Sequence, residues 1–191
     1  DTDVFLYDRV AGTTVLLSHD AAAPTQAVGG AEGVVSADGR YVAFWSRQGN
    51  VGGNVFLYDR ILGQTILVSH ASGAPTTSAN GGSSEPVLSA DGRYVAFQSY
   101  ATDLVAGQVD TNQTADVFLY DRTTGTVTLV SHANGAPATA GNNSSASLRG
   151  GPAISPDGRY VAFSSGATDS VAGGVDANNQ DDVFLYDRLS G

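Results

Sequence analysis

Short apolar runs rich in aromatic and β-branched residues recur along the chain and are separated by turn residues. In the middle of the chain they predict four strands, A to D, at 86–89, 93–99, 117–121 and 126–131. Strands A and B are joined by Asp91-Gly92, the dipeptide favoured in a two-residue type I′ turn, and the link from C to D contains Gly125. Both links are short, so A–B and C–D are predicted to be antiparallel hairpins, and no segment shows helical periodicity.

Strands B and C are apolar on both faces. In strand B, Tyr94 and Ala96 point to one side, while Val95 and Phe97 point to the other. A strand that buries both faces must lie between two layers. Small four-stranded sheets stacked face to face meet this need, and that is how the blades of a β-propeller pack.

The same pattern is repeated along the chain. Val-Phe-Leu-Tyr-Asp-Arg starts at residues 4, 55, 117 and 183, and Ser-x-Asp-Gly-Arg-Tyr-Val-Ala-Phe starts at 36, 89 and 155. The sequence contains 13 predicted strands, in the order C-D, then A-B-C-D twice, then A-B-C. This number is too small to close a ring of four-stranded blades. The prediction is an all-β chain forming one domain, with repeats near 3–53, 54–115 and 116–181 and a partial repeat at 182–191. We expect a segment of a larger or oligomeric propeller or array.

These two motifs resemble the repeats of TolB-like β-propellers over nearly the whole chain. The resemblance implies the propeller fold and a secreted, extracellular or periplasmic location. It implies no single function, because the family includes a Tol-system periplasmic protein, propellers that flank serine peptidase domains, and others.

Composition narrows the possible partners. Nine Arg and no Lys stand against 17 Asp and 2 Glu, which gives a net charge of -10. Such a chain is a poor partner for nucleic acid or anionic membranes. The absence of cysteine excludes disulfides and thiolate sites. No apolar run is long enough for membrane insertion, and the missing initial Met and leader indicate a mature or excised segment.

The long B–C loops carry the candidate metal ligands. The alternating directions of the strands place these loops and the D–A connections at one end of the sheets. Two of them end in Asp-x-Asn-x-x-x-Asp, a group of oxygen side chains that suits calcium. Asp103 and Asp169 are further candidates, whereas the shorter loop at 46–54 lacks the first acid and should bind no metal. Alternatively, these residues only form turns. The predicted ligands are Asp110, Asn112, Asp116, Asp176, Asn178 and Asp182.

Other repeated polar residues favour structural roles. The three histidines, His19, His70 and His132, occupy one equivalent position per repeat, too far apart to share an ion. The repeated Asp of Tyr-Asp-Arg is interpreted as a turn and inter-blade contact. Trp45 occurs once, and either packs or binds a glycan or a partner. The sequence has no Gly-x-Ser-x-Gly or His-Glu-x-x-His motif, so we expect no enzyme activity.

The expected function is that of a non-catalytic extracellular module, structural or protein-binding, with calcium-stabilised B–C loops. A protein partner or self-assembly is expected. Two alternatives stay open, namely an accessory propeller of a secreted hydrolase or peptidase and a carbohydrate-binding propeller.

Overall fold

The fold consists of strands joined by turns and loops. The computed structural model describes residues 2–20, 22–48, 52–145, 151–174, 176, 178 and 180–191. These residues contain no helix, and thus none that is long and apolar enough to cross a membrane. In this part of the chain, thirteen strands form four sheets, and four other strands form two separate ribbons. The predicted all-β class is confirmed.

The first half of the chain contains a two-stranded sheet, a short ribbon and a complete four-stranded sheet. Sheet 1 is a hairpin of β1 (Phe5–Asp8) and β2 (Thr13–Leu16). A ribbon of β3 (His19–Asp20) and β4 (Ala23–Ala27) follows. Sheet 2 has its strands in sequence order, β5 (Gly30–Val35), β6 (Tyr41–Ser46), β7 (Asn54–Asp59) and β8 (Gln64–Leu67).

The second half repeats this arrangement. Sheet 3 consists of β9 (Ser83–Leu88), β10 (Tyr94–Ser99), β11 (Asp116–Asp121) and β12 (Thr126–Leu129). The second ribbon contains β13 (His132–Ala133) and β14 (Ala136–Ala140). Sheet 4 has three strands, β15 (Ala153–Ile154), β16 (Tyr160–Ser165) and β17 (Asp182–Asp187). All neighbouring strands within a sheet are antiparallel, so the predicted order of strands is confirmed.

Successive sheets stack through apolar faces. Tyr94 and Ala96 of β10 belong to the cluster shared with sheet 4, whereas Val95 and Phe97 belong to the cluster shared with sheet 2. Phe97 is completely buried. The division of faces predicted from the sequence is therefore correct. Burial of apolar area on both sides of the central strands of sheets 2 and 3 is the main stabilising contribution between the sheets.

The A–B turn differs from the predicted two-residue type I′ turn. In sheet 3 the loop spans residues 90–93 and is closed by the Ser89 amide, which donates to the carbonyl of Tyr94 at 3.0 Å. Only Gly92 in this loop has a positive φ, +67°, whereas a type I′ turn needs two such residues. Asp91 instead accepts hydrogen bonds from the Ser89 hydroxyl and the Arg93 amide. These local side-chain bonds define the longer loop.

The same turn also joins neighbouring sheets. A Cβ at Gly92 would lie 2.2 Å from the Tyr41 ring of sheet 2, so the ring occupies the space that a side chain would need. The guanidinium of Arg122 lies 4.3 Å from the centre of that ring. Gly158 and Arg188 of sheet 4 contact the Tyr94 ring in the same way. A glycine and an arginine of one sheet thus pack against one tyrosine of the preceding sheet, both between sheets 2 and 3 and between sheets 3 and 4.

The B–C loops and the D–A connections meet at one end of the sheets. The Asn80 side chain donates to the Thr102 hydroxyl at 2.8 Å, and Asn142 donates to Thr168 at the same distance. The predicted common end for these segments is therefore correct. The ribbons in the D–A connections were not predicted, because their Ala-, Pro- and Thr-rich sequences lack an alternating apolar pattern.

Candidate metal centre in the long loops

Asp116 lies at the point where the B–C loop of sheet 3 enters β11. Asp116 is only 1% exposed to solvent. Its Oδ1 atom accepts a hydrogen bond of 2.8 Å from the Ser131 hydroxyl, and the same hydroxyl accepts from the Val117 amide at 2.9 Å. Because Ser131 lies two residues after β12, it links the end of that strand to the start of β11 through the Asp116 carboxyl group.

The electrostatic surroundings of Asp116 disfavour its charge. Burial and, to a smaller extent, the negative charge of Asp110 raise the pKa of Asp116 to about 7, although the hydrogen bond from Ser131 opposes this change. The charge of Asp110 therefore acts on Asp116, and the assignment of these two residues as metal ligands stays a prediction.

Sheet 2 has an amide at the position equivalent to Asp116. Asn54 is completely buried, and its Oδ1 accepts from the Ser69 hydroxyl at 3.2 Å. Its Nδ2 donates to the Gln48 carbonyl at 2.9 Å. The short loop is therefore held by an uncharged donor that an ionised aspartate cannot supply. Asp116 needs either a proton or a cation to make an equivalent link to its loop.

The other loop residues make the bonds of turn residues. Asp110 Oδ1 accepts from the amides of Asn112, at 3.1 Å, and Gln113, at 2.9 Å. Asn112 Oδ1 accepts from the amide and the hydroxyl of Thr114, while its Nδ2 donates to the Gly141 carbonyl in the D–A connection. These bonds match the turn interpretation considered from the sequence. The assignment of Asn112 as a metal ligand stays a prediction.

The equivalent loop of sheet 4 repeats the turn but not the burial, because Asp182 is exposed whereas Asp116 is buried. Asp176 and Asp182 both line a cavity of about 230 Å³, together with Phe184. Asp176 Oδ1 accepts from the Asn178 amide at 3.0 Å, and Asn178 Oδ1 accepts from the Gln180 amide at 2.9 Å. The two acids thus face a common space, while the amide again belongs to a turn.

Asp103 and Asp169 bind the D–A connections. Asp103 Oδ1 accepts from the Asn80 amide at 2.9 Å, and Asp169 Oδ1 accepts from the Asn142 amide at 3.0 Å. Within the described ranges, no three acidic or histidine side chains are grouped as a metal cluster. Neither aspartate therefore forms such a cluster with the predicted pair in its loop.

The histidines have structural contacts, as expected from their repetition. In each, Nδ1 lies 2.9 Å from the carbonyl oxygen of the next residue. The ring of His70 packs edge-on against Tyr120, and that of His132 packs the same way against Tyr186. The histidines after the fourth strands of sheets 2 and 3 thus help to join successive sheets.

The repeated Asp of Tyr-Asp-Arg forms an ion pair within its own sheet in sheets 2 to 4. Asp121 accepts two hydrogen bonds, of 3.0 and 2.8 Å, from Arg93. Burial acts to raise the pKa of Asp121, but the hydrogen bonds from Arg93 and Thr123 outweigh it and hold the pKa well below its usual value. An inter-sheet contact was predicted for this aspartate. In sheet 3 the neighbouring Arg122 makes that contact instead, against the Tyr41 ring of sheet 2. In sheet 1 the aspartate itself, Asp8, pairs with Arg60 of sheet 2.

Two further features lie outside the loop motif. Trp45 is half-buried, and its ring occupies the space where a Cβ at Gly53 would lie. The predicted packing role is thus observed, and a glycan role stays a prediction. Sequence reasoning missed the contact of Glu32, whose carboxylate accepts a 2.6 Å bond from the Glu85 amide of the next sheet. Both glutamates have positive φ. The sequence signal for a shared role is that each lies four residues before the serine of Ser-x-Asp-Gly-Arg.

Comparison with known proteins supports the fold. A protein of Agrobacterium tumefaciens described as TolB matches 99% of this chain with a TM-score of 0.53 and 17% identity. TolB from Acinetobacter baumannii matches 99% with a TM-score of 0.50 and 16% identity. The chain spans 54% and 36% of these two structures, respectively, and 13% of the tricorn protease, to which it is 16% identical with a TM-score of 0.49.

At these identities the likeness concerns the fold alone. No protein-family model and no curated protein matches the sequence.

Proposed function

We propose that this chain, which has the fold of a TolB-like β-propeller, is a non-catalytic structural or protein-binding module of the extracellular or periplasmic space. Calcium stabilises its long B–C loops. The observation that carries the proposal is the buried carboxyl group of Asp116, at the position where sheet 2 has Asn54, whose pKa is raised in part by the negative charge of Asp110.

In sheet 2, Asn54 links β7 to its loop through the hydrogens of its side-chain amide. A cation bound by Asp116 would make the equivalent link in sheet 3. A buried carboxylate is costly unless it is neutralised or paired. A calcium ion between Asp110 and Asp116 would neutralise both and link the loop to β11. Asn112 Oδ1 already accepts two hydrogens, so backbone carbonyls and water would complete the six to eight oxygens that calcium takes.

The sheet 4 loop supports the same interpretation, because Asp176 and Asp182 line one cavity. A site with two carboxylates and several neutral ligands is suited to weak binding at the millimolar calcium concentrations outside cells. This agrees with the location that the resemblance of the repeats implies. The net charge of -10 also favours cation binding over binding of anions.

The non-catalytic part of the proposal rests on the roles that repeated polar residues have in the fold. Asp91 shapes a turn, Asp121 pairs with Arg93, and His70 packs on Tyr120. Each of these residues has equivalents in other repeats. Repetition of this kind is expected of structural residues, whereas a catalytic group is needed only once.

The test is thermal unfolding of the chain in EDTA, in 5 mM magnesium and in 5 mM calcium. For a dissociation constant of about 0.1–1 mM, calcium should raise the Tm by about 3–6 °C, because it binds only the folded state. Magnesium should have a smaller effect, because it requires stricter octahedral geometry.

The double variant Asp110→Asn/Asp176→Asn should lose the calcium response. The matched control, Asp91→Asn in the A–B turn at the opposite end, should lower the Tm but keep the response. An unchanged Tm between EDTA and calcium in the unsubstituted chain contradicts the proposal.

A further inference from the structure

A polar pocket lies beside sheet 3, at the end where the B–C loops meet the D–A connections. Its volume is about 600 Å³, within the range of roughly 300–1,000 Å³ that is typical of small-molecule sites. Sheet 3 packs against sheet 2 on one side and against sheet 4 on the other, so the pocket belongs to a complete repeat. The polar and aromatic residues that line it are Asn80, Tyr100, Thr102, Gln108, Asp110 and Gln113.

Tyr100 presents an aromatic ring that the fold does not need. It is 62% exposed, although it stands between Ser99 and Ala101, which are both buried. The equivalent positions after the second strands of sheets 2 and 4 hold Arg47 and Gly166. Because those two sheets form the same central strands without a tyrosine, packing does not explain this ring. An exposed aromatic ring beside a polar pocket points instead to a ligand.

Backbone hydrogen bonds hold the walls of the pocket in place. The Tyr100 amide donates to the Gly82 carbonyl at 2.9 Å. Val109 also lines the pocket, and its amide donates to the Ala138 carbonyl of β14 at 2.8 Å. The Ala140 amide donates to the Val109 carbonyl at 2.9 Å. The pocket is thus formed before a ligand binds, which lowers the cost of binding.

Side-chain amides supply hydrogen-bonding groups to the pocket. Asn80 donates to the Thr102 hydroxyl and accepts from the Thr102 amide, both at 2.8 Å. Gln108 donates to the Ala101 carbonyl at 2.8 Å. Because a side-chain amide carries two hydrogens, Asn80 and Gln108 each keep one N–H that bonds to none of the described residues. Gln113 is exposed, and no described residue hydrogen-bonds to its side-chain amide.

This lining favours one chemical class of ligand. No arginine or histidine of the described structure lines the pocket, and Asp110 gives it a negative charge, so an anionic ligand is disfavoured. An apolar ligand would leave the amides unpaired. A neutral sugar in the pyranose form meets both requirements, because its hydroxyl groups pair with amides and its C–H groups cover an aromatic ring.

We propose that this pocket binds a neutral pyranose sugar of a glycan. The C–H face of the sugar lies on the Tyr100 ring, and its hydroxyl groups hydrogen-bond to Asn80, Gln108 and Gln113. The site differs from Trp45 of sheet 2, the aromatic residue considered for a glycan from the sequence. Sugar binding is a function beyond those proposed above, and it does not require calcium.

Saturation-transfer difference NMR of the chain in EDTA tests the proposal, with cellotriose, tri-N-acetylchitotriose, galactobiose and mannotriose as probes. EDTA keeps the result separate from the calcium proposal. We expect at least one of these oligosaccharides to bind saturably, with a dissociation constant of about 0.1–5 mM. If none of them binds at concentrations up to about 20 mM, the proposal is wrong.

Protein variants test the position of the site. Tyr100→Ala should weaken binding about tenfold or more, whereas Tyr100→Phe keeps the ring and should change binding by less than about threefold. Gln113→Gly removes an amide and should weaken binding about fivefold without lowering the Tm, because its φ of +55° favours glycine. The matched control is Tyr7→Ala in sheet 1, where the tyrosine is also 62% exposed and binding should be unchanged.

Three results with these variants would overturn the proposal. The first is equal binding by Tyr100→Ala and the parent chain. The second is a loss of binding in Tyr7→Ala as large as that in Tyr100→Ala, because the loss would then not depend on the pocket. The third is unchanged binding by Gln113→Gly, which decides the question even if Tyr100→Ala fails to fold.

Discussion

Replacing Asp116 by Asn should make the metal-free protein more stable at neutral and alkaline pH. A carboxyl group whose pKa is higher in the folded state than in the unfolded state binds its proton more tightly in the folded state. The stability of the protein therefore falls as the pH rises from the unfolded pKa through the folded one. For Asp116 this window runs from 3.8 to about 7.

The magnitude follows from the width of that window. Ionising Asp116 at pH 8 costs about 4 kcal/mol relative to a group with an ordinary pKa. Asn cannot ionise, and Asn54 shows that an amide at this position still accepts the serine hydrogen bond. That bond is weaker to an amide than to a carboxylate. We therefore expect Asp116→Asn to raise the free energy of unfolding by about 3 kcal/mol at pH 8, and to change it little at pH 4.

Urea unfolding monitored by the fluorescence of Trp45, the single tryptophan, measures this difference in EDTA at pH 4 and pH 8. The reverse variant, Asn54→Asp, is the matched control. It places a carboxylate opposite the Gln48 carbonyl and should lower stability at pH 8 more than at pH 4. If Asp116→Asn is no more stable than the parent at pH 8, the carboxylate is not in the disfavoured environment that the structure shows.

Two further substitutions test the turns. Gly92→Ala should lower the free energy of unfolding by about 3 kcal/mol or more, because the added Cβ would overlap the Tyr41 ring. The matched control is Gly125→Ala, which has a similar φ but open space around it and should lower this free energy by only about 1 kcal/mol. Urea unfolding measures both values. Equal losses would show that the ring does not contact the turn. Asp121→Asn should lose about 2 kcal/mol at pH 7 by removing the Arg93 pair. In urea unfolding across pH, this loss should be complete above 3.8 and disappear as the pH falls below it toward the lowered folded pKa; a loss that persists at low pH would contradict the ion pair.

The blades were predictable because their signal is local and repeated. The apolar residues on both faces of 93–99 indicated a strand between two layers, and the clusters on its two sides confirm this. The first strand was predicted to start at Pro86, but β9 begins at Ser83. Glu85, with a positive φ, interrupts the regular pairing there, and no feature of a glutamate signals that conformation.

Contacts between distant residues were less accessible to sequence reasoning. Asp121 adjoins Arg122 in the chain, yet it pairs with Arg93, 28 residues away. The reason lies in the sheet register, which places Tyr94 directly opposite Asp121. Arg122 is then free to reach the Tyr41 ring of the neighbouring sheet.

The contacts made by the side chains of the long loop of sheet 3 were predictable only in part, and the metal site itself stays a prediction. Residue type and spacing identified Asp110 and Asp116 as neighbours, and the charge of one acts on the other. Spacing did not reveal that Asn112 uses its oxygen within a turn, or that Asp103 binds the D–A connection, because both contacts depend on the path of the loop. The sequence also did not reveal that Asp116 and Asn54 are both buried, and burial is the reason why an acid at one position and an amide at the other have different effects.

A crystal structure of the chain grown in millimolar calcium, with anomalous data collected at long wavelength, tests the central claim most directly. We expect an anomalous peak about 2.3–2.6 Å from carboxylate oxygens of both Asp110 and Asp116, and none beside Asn54. A map with no peak there, and with the Asp116 carboxyl group hydrogen-bonded to its loop as a neutral acid, would contradict it.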